Sequence, residues 1–372
     1  MTRNPPTTNA RHQTWPLLGI GLVALAVASS PAVAASSSKK KPHPAQHKTA
    51  QPAPAKQPTA QPAVAPTRPA PASAPVEAAA PVERDYSFGE VISQSVTGDV
   101  YAHPEDWKAL GFRNLFSEGW DKPWVSPPAG GGGAPRQGWI NSYDGVFFRL
   151  SIATFAWQHG LANNSDGYSG TLTSYTPLNA RHEVRTDISL ASNRGPTGRA
   201  DAQTNFGDFI VTPRVLLSES KEQSQVFEIA FRTPTGNSFN GNGYAAISPT
   251  YEFWTNYWKG LVVRGGLGFT IPYSGEINRA GARSTFNSNL AIGYYFTPHN
   301  AAPFGDLVLY VANNLVQAID NRGPASTATF SMGPGFRSHL GDNWYLLGHV
   351  DFPVTKPQPY DYQVFGGIMK VY

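Results

Sequence analysis

The chain is 372 residues long, with 40% hydrophobic and 15% charged residues, no cysteine and a formal net charge of +4. The lack of cysteine excludes disulfides, cysteine-ligated metals and thiol catalysis. The positive charge does not argue for nucleic-acid binding. Residues 1–84 hold nine Lys/Arg and two acids, leaving 20 Lys/Arg against 23 Asp/Glu, a net −3, for residues 85–372.

Residues 1–34 read as a secretory signal peptide. Arg3, Arg11 and His12 make a positive start, residues 16–27 (PLLGIGLVALAV) an apolar run, and Ala32-Val33-Ala34 a small-x-small cleavage site. The apolar run falls short of the ~20 residues a spanning helix needs. Residues 35–84 are Ala/Pro/Lys/Gln low complexity. Such a segment cannot bury apolar surface, so it reads as a disordered, partly polyproline II linker. It is a spacer, or else a periplasmic tether whose lysines touch the anionic cell wall (peptidoglycan) or inner leaflet.

Residues 85–144 read as a short helical, Trp-rich segment, a plug or periplasmic cap. Residues 86–96 suit a short strand or the first turn of a plug. Pro104-Glu105-Asp106-Trp107 predicts the opening of a short helix, since Pro and acids fit a first turn, with Leu110, Phe112, Leu115 and Phe116 as its apolar residues. Trp107, Trp120, Trp124 and Trp139 suit an interfacial belt or an aromatic-lined recess. The segment is too apolar for a free linker and too small for a domain of its own.

From residue 145 onward one pattern repeats: about ten residues of apolar/polar alternation, then a Gly/Pro/Asn/Asp turn. Twelve strands are predicted, at 146–157, 169–177, 182–192, 206–218, 225–233, 244–257, 260–271, 285–297, 306–315, 325–338, 342–353 and 361–372. Ten or fourteen remain open. In the third, Val184, Thr186, Ile188 and Leu190 fall on one face and Glu183, Arg185, Asp187 and Ser189 on the other. A face bearing Glu, Arg and Asp must be wet. The expected fold is therefore all-β, a transmembrane antiparallel β-barrel of about 12 strands over residues 145–372. Aromatics gather near strand ends, among them Trp157, Tyr175, Trp254, Tyr257, Trp258, Tyr294, Trp344 and Tyr345, where headgroup girdles belong. A soluble β-sandwich would alternate too, but twelve such strands would need a larger core.

The charged face supplies the candidate lumen-lining residues: Arg149, Glu183, Arg185, Asp187, Asp208, Arg214, Glu228, Arg232, Glu252, Arg264 and Arg337. They either pair across a packed small barrel or set the selectivity of an aqueous pore. They cannot face lipid, where a charge costs ~2–4 kcal/mol at the midplane. His159, His182, His299, His339 and His349 lie at strand ends or among turn residues, in no catalytic constellation, and His43 and His47 are too sparse for a metal tract. No catalytic residue, metal or cofactor is expected. The glycines of Asn240-Gly241-Asn242-Gly243 and Gly265-Gly266 precede no helix, so they are turn and bulge residues rather than a phosphate loop.

The chain stops inside its last strand at Val371-Tyr372. A terminal aromatic after an alternating strand resembles the assembly signal of bacterial outer-membrane barrels. Lys370 departs from the usual apolar residue and would have to snorkel. Two further stretches carry a family resemblance. One runs from Asn205-Phe206-Gly207-Asp208-Phe209 through Pro213-Arg214-Val215-Leu216-Leu217 to Phe231-Arg232-Thr233-Pro234-Thr235-Gly236-Asn237. The other is Met332-Gly333-Pro334-Gly335-Phe336-Arg337 followed by Gly341-Asp342-Asn343-Trp344. Together they resemble the proteobacterial outer-membrane family of transporters from phenol meta-pathway degradation clusters, over roughly residues 140–372. The resemblance implies an outer-membrane barrel that passes small, often apolar or aromatic, solutes. Its partners would then be outer-membrane lipid and lipopolysaccharide, the barrel-assembly machinery and the solute. The other function expected is a structural or adhesion barrel tied to the cell wall by its Pro-rich tail.

Overall fold

The computed structural model describes residues 84–372, apart from 162–164, 195–201, 237–239, 321–327 and 357. The signal-peptide and linker readings lie outside the described residues, residue 84 excepted.

The described chain forms one antiparallel sheet of thirteen strands: β1 Leu150–Leu161, β2 Ser165–Pro177, β3 His182–Arg194, β4 Ala202–Phe206, β5 Ile210–Glu219, β6 Gln223–Arg232, β7 Tyr244–Trp258, β8 Leu261–Gly275, β9 Thr285–Tyr295, β10 Gly305–Ala318, β11 Thr329–Gly341, β12 Trp344–Pro353 and β13 Tyr362–Val371. β1 pairs with both β2 and β13, and β2 with β3, so the sheet closes on itself. β3 pairs with β5 over residues 182–187 and with β4 over residues 190–194. β4 and β5 are thus two halves of one wall position, and the barrel is twelve-stranded. Along the band where β3 pairs with β5 the described strands are paired on both sides, the condition for a sheet in lipid; beyond it β4 pairs with β3 alone.

The alternation sorts the two faces. Ile188, Leu190, Phe227, Phe231, Leu267, Phe269, Leu290, Ile292, Leu309 and Ile368 all point outward and are exposed. They form a band around the wall far larger than the exposed apolar patches of soluble monomers. Their strand neighbours Glu183, Arg214, Glu228, Glu252, Arg264 and Arg337 are buried inside. None of the described helices is long and apolar enough to cross a membrane; the strands do so.

The structure corrects several boundaries. The first strand begins at Leu150, not 146, because residues 146–149 still belong to the preceding segment. The second begins at Ser165, extended by its hairpin pairing with β1. The fourth is broken at residues 207–209. Residues 86–96 fall mostly in a helix, α1 (Phe88–Thr97), rather than a strand. Its start is fixed by a capping box in which Ser87 and Glu90 satisfy each other's backbone N–H. Residues 104–116 hold two single 3-10 turns, Pro104–Asp106 and Phe112–Asn114, rather than one helix. Between them Leu110 is drawn out into a bridge with Glu219 at the end of β5.

β1 begins, and β13 finishes, at one end of the barrel, called here the terminal end. The residues N-terminal to β1 pack at this end and inside it.

Candidate functional site

The barrel interior is occupied by the chain's own residues 134–148. Ala134, Trp139, Ile140, Val146 and Phe148 share one buried cluster with inward wall side chains, among them Trp254, Val262, Tyr310, Leu347 and Met369. Trp139 stacks on Tyr310 at 4.7 Å between centroids and donates from Nε1 to the Tyr295 hydroxyl at 3.1 Å. Inward glycines make room for it. A Cβ on Gly293 would stand 2.6 Å from the Trp139 ring, and one on Gly266 2.8 Å from the Tyr143 ring. Gly145 has φ +56° and lies against the β7 backbone, where a Cβ would come within 2.3 Å of Phe253. Only glycine tolerates both the conformation and the approach.

An irregular segment inside a barrel needs partners for its backbone polar groups, and the wall charges supply them. Arg264 donates to the carbonyls of Tyr143 (3.0 Å), Gln137 (3.1 Å) and Asp144 (2.8 Å) and pairs with the Asp144 carboxylate at 2.5 Å. Asp144 also accepts from the Tyr175 hydroxyl at 2.5 Å. Asn289 accepts from the Tyr143 N–H at 3.0 Å and donates to the Asn141 carbonyl at 3.1 Å. The Asn141 amide stands 3.0 Å from His349 Nε2 and donates to Asp351 at 3.2 Å. The Tyr310 hydroxyl donates to the Ile140 carbonyl at 2.9 Å.

The densest cluster surrounds Arg214, which is buried. It pairs with Glu183, with Glu228 at 2.9 Å and with Glu252 at 2.8 Å, and donates to the Val146 carbonyl at 3.0 Å. Two of its partners also hold the segment: Glu183 accepts from the Phe148 N–H at 2.6 Å and Glu252 from the Gly145 N–H at 3.1 Å. Arg185 is the second cation, 2.9 Å from Asp187 and 3.6 Å from Glu228. Charges predicted from alternating positions on β3, β5, β6 and β7 thus meet in one place, and that place grips the segment.

Nine of the eleven candidate lumen residues lie on strands with inward side chains: Glu183, Arg185, Asp187, Arg214, Glu228, Arg232, Glu252, Arg264 and Arg337. Arg337 donates to Gln137 at 3.0 Å and lies over the Tyr295 and Tyr345 rings. Arg232 sits over the Tyr244 ring at 4.6 Å, away from the segment. Two placements differ from the sequence reading. Arg149 precedes β1 and turns to the rim, where it donates to the Gly98 carbonyl that ends α1 at 2.6 Å. Asp208 lies in the β4/β5 break, 4.0 Å from Arg232, and caps the loop between β6 and β7, accepting from the Gly236 and Asn242 N–H groups at 3.0 and 2.9 Å. Both sit where a strand pattern is interrupted, so period-two counting misassigns them.

Of the four tryptophans only Trp139 is inside the barrel. Trp124 is buried at the terminal mouth with Val100, Phe147, Leu216 and Val226. Trp107 donates to Glu219 at 3.0 Å, and Trp120 meets His182 edge-on at 4.2 Å. Glu219 also receives Arg136 at 2.9 Å. A recess of about 340 Å³ opens among Trp107, Leu110, Trp124 and Glu219. Sequence reasoning missed Arg136, Asn141, Tyr143 and Asp144. The signal available was a run of polar residues between Trp139 and Val146 that no strand pattern accommodated. Among the described residues no group of His, Asp and Glu is placed to hold a metal.

Comparison with known proteins adds the following. A family model described as "Putative MetA-pathway of phenol degradation" matches residues 144–358, more than half of the chain. No curated protein matches by sequence. Among solved structures, an outer-membrane channel from Pseudomonas putida F1 is 12% identical, with 63% of this chain and 100% of that one covered and a TM-score of 0.45. The KdgM porin is 9% identical, with 60% and 99% covered and a TM-score of 0.42. The translocator domain of the autotransporter NalP from Neisseria meningitidis is 12% identical, with 60% and 88% covered and a TM-score of 0.36.

Proposed function

The chain belongs to the family described as "Putative MetA-pathway of phenol degradation", and from that premise we propose that it is an outer-membrane channel for small solutes, gated by its own residues 136–148. The terminal end then faces the periplasm. The observation that carries this reading is how the segment is held. Hydrogen bonds and ion pairs from Arg214, Arg264, Asn289 and Tyr310 fix it inside a wall that is already closed without it. A segment needed only for closure would pair as a strand. One held by side chains can leave as a unit, and the barrel remains.

The ring faces around the segment, Tyr175, Tyr295, Tyr310 and Tyr345, suit a small aromatic or apolar solute passing through a partly polar interior. Beyond them the wall carries hydroxyls and amides, such as Thr154, Thr171, Ser189, Asn287 and Asn314. These hydrogen-bond a solute without binding it tightly.

The second reading, a structural barrel kept shut and tied to the cell wall by residues 35–84, draws on the completeness of the Arg214 cluster. Swelling of liposomes carrying the refolded chain, over a panel from monocyclic aromatic acids to sugars, separates the two. Uptake of small aromatics faster than of sugars of equal size supports the channel. No uptake of any solute supports the structural barrel.

A further inference from the structure

The terminal mouth carries a feature that the channel reading does not use. Residues 111–120 present Phe112 and Phe116 to the outside, 61% and 88% exposed. We propose that this loop is a membrane anchor whose two phenylalanines enter the leaflet facing the terminal end of the barrel.

The loop is held rigidly at the rim. Arg181, fully buried, donates to the carbonyls of Gly111 (3.2 Å), Asn114 (3.3 Å) and Glu118 (2.9 Å). The same guanidinium donates to Leu216 and Leu217 on β5, both at 3.0 Å. One arginine therefore staples the loop to the wall. The Phe112–Asn114 turn and the Trp120 Nε1 bond to the Leu115 carbonyl at 2.7 Å fix its internal shape. Two exposed phenylalanines on a rigid loop are held out by the structure.

The loop also passes to the lipid side of the wall. Trp120 covers His182, and His182 shares the outward face of β3 with Val184, Thr186 and Ile188. This continues the lipid-facing surface onto the loop. The aromatic girdle at the same end points to the same occupant. On β7, β9 and β12 it is supplied by Tyr257, Trp258, Tyr294 and Trp344, all exposed. The terminal ends of β2, β3 and β6 offer only Thr176, His182, Val184, Gln223 and Gln225 on their outward faces. The loop supplies aromatics at the end of the sector where the strand ends have none, the outward Phe227 lying further along β6. Exposed Arg113, beside Phe112, suits a phosphate headgroup.

The chain has no cysteine, so single nitroxide labels test this in the full chain reconstituted in lipid nanodiscs. The labels go on Phe116→Cys, on Tyr257→Cys in the girdle, and on Ser93→Cys on the exposed side of α1. The expected result is that the label at 116 collides with lipid-dissolved oxygen as the girdle label does, and is shielded from a water-soluble nickel chelate. Accessibility at 116 equal to that at 93 overturns the proposal. A label-free measurement guards against the nitroxide's own hydrophobicity. In nanodiscs the Phe112→Ser/Phe116→Ser variant should exchange the amides of residues 115–118 faster than wild type, with α1 unchanged. Equal exchange overturns the anchor. A label at 116 shielded only when other envelope proteins are added also overturns it, in favour of a protein partner.

Discussion

Replacing Arg214 with methionine tests the electrostatic core of the barrel. The substitution keeps the bulk and removes the charge that Glu183, Glu228 and Glu252 share. Among the described residues Arg185, 3.6 Å from Glu228, is then the cation left within reach of the carboxylates. Removing one partner of a buried ionic cluster costs about 3–5 kcal/mol. The Val146 carbonyl loses its 3.0 Å donor as well, and a buried unsatisfied group costs about 1–3 kcal/mol. The two costs overlap, so a loss of roughly 4 kcal/mol is expected. Guanidinium unfolding of the refolded protein in micelles or vesicles, followed by the heat-dependent shift in gel mobility, measures it. Adding Glu228→Gln and Glu252→Gln to Arg214→Met should recover part of the loss, because the carboxylates left unpaired are neutralised. A single variant within about 0.5 kcal/mol of wild type, the ordinary range of surface substitutions, would refute the reasoning. A triple variant less stable than the single one would do the same.

Ile188→Arg and Val263→Arg place a charge on the lipid face and should impair insertion by about 2–4 kcal/mol near the midplane, read as lost refolding yield into vesicles. Arg185→Gln should assemble normally, because Arg185 keeps partial exposure, Glu228 keeps Arg214 and Asp187 keeps the Thr173 hydroxyl. It should shift reversal potentials towards cation preference, and an unchanged potential would mean that ions do not pass Arg185. Gly293→Leu drives a side chain into the space of Trp139, so the barrel should form while residues 134–148 become cleavable by added protease; continued protection would place the segment's hold elsewhere.

The alternating strands were legible because a membrane barrel has one apolar and one polar face on every strand. Ile188 and Glu183 are each explained by the face they occupy, with no need of a distant partner. The same rule reached the charges of β3, β5, β6 and β7 before anything showed that they converge on one cluster. It failed at Arg149 and Asp208, where the chain is not a strand, and at the β4/β5 break, where Asp208 turns aside to cap a loop. The internal segment was legible only as a Trp-rich stretch too apolar for a linker. Its path depends on Gly145, Gly266 and Gly293, whose role is the space they leave for a side chain more than a hundred residues away or for a neighbouring backbone. No local pattern records such a contact. The single helix predicted over residues 104–116 lost to tertiary pairing as well: Leu110 pairs with Glu219 and so cannot continue a helix.

The account rests on residues 136–148 obstructing a barrel that is complete without them. Unitary conductance in planar bilayers tests this directly, comparing the full chain with one lacking residues 85–144, each first shown to be a barrel by heat-modifiable mobility. The account predicts a clear rise in unitary conductance on excision, and no change when residues 35–83 are removed instead. Equal conductance with and without residues 85–144 would contradict it, leaving the segment a structural filler and the solute path elsewhere.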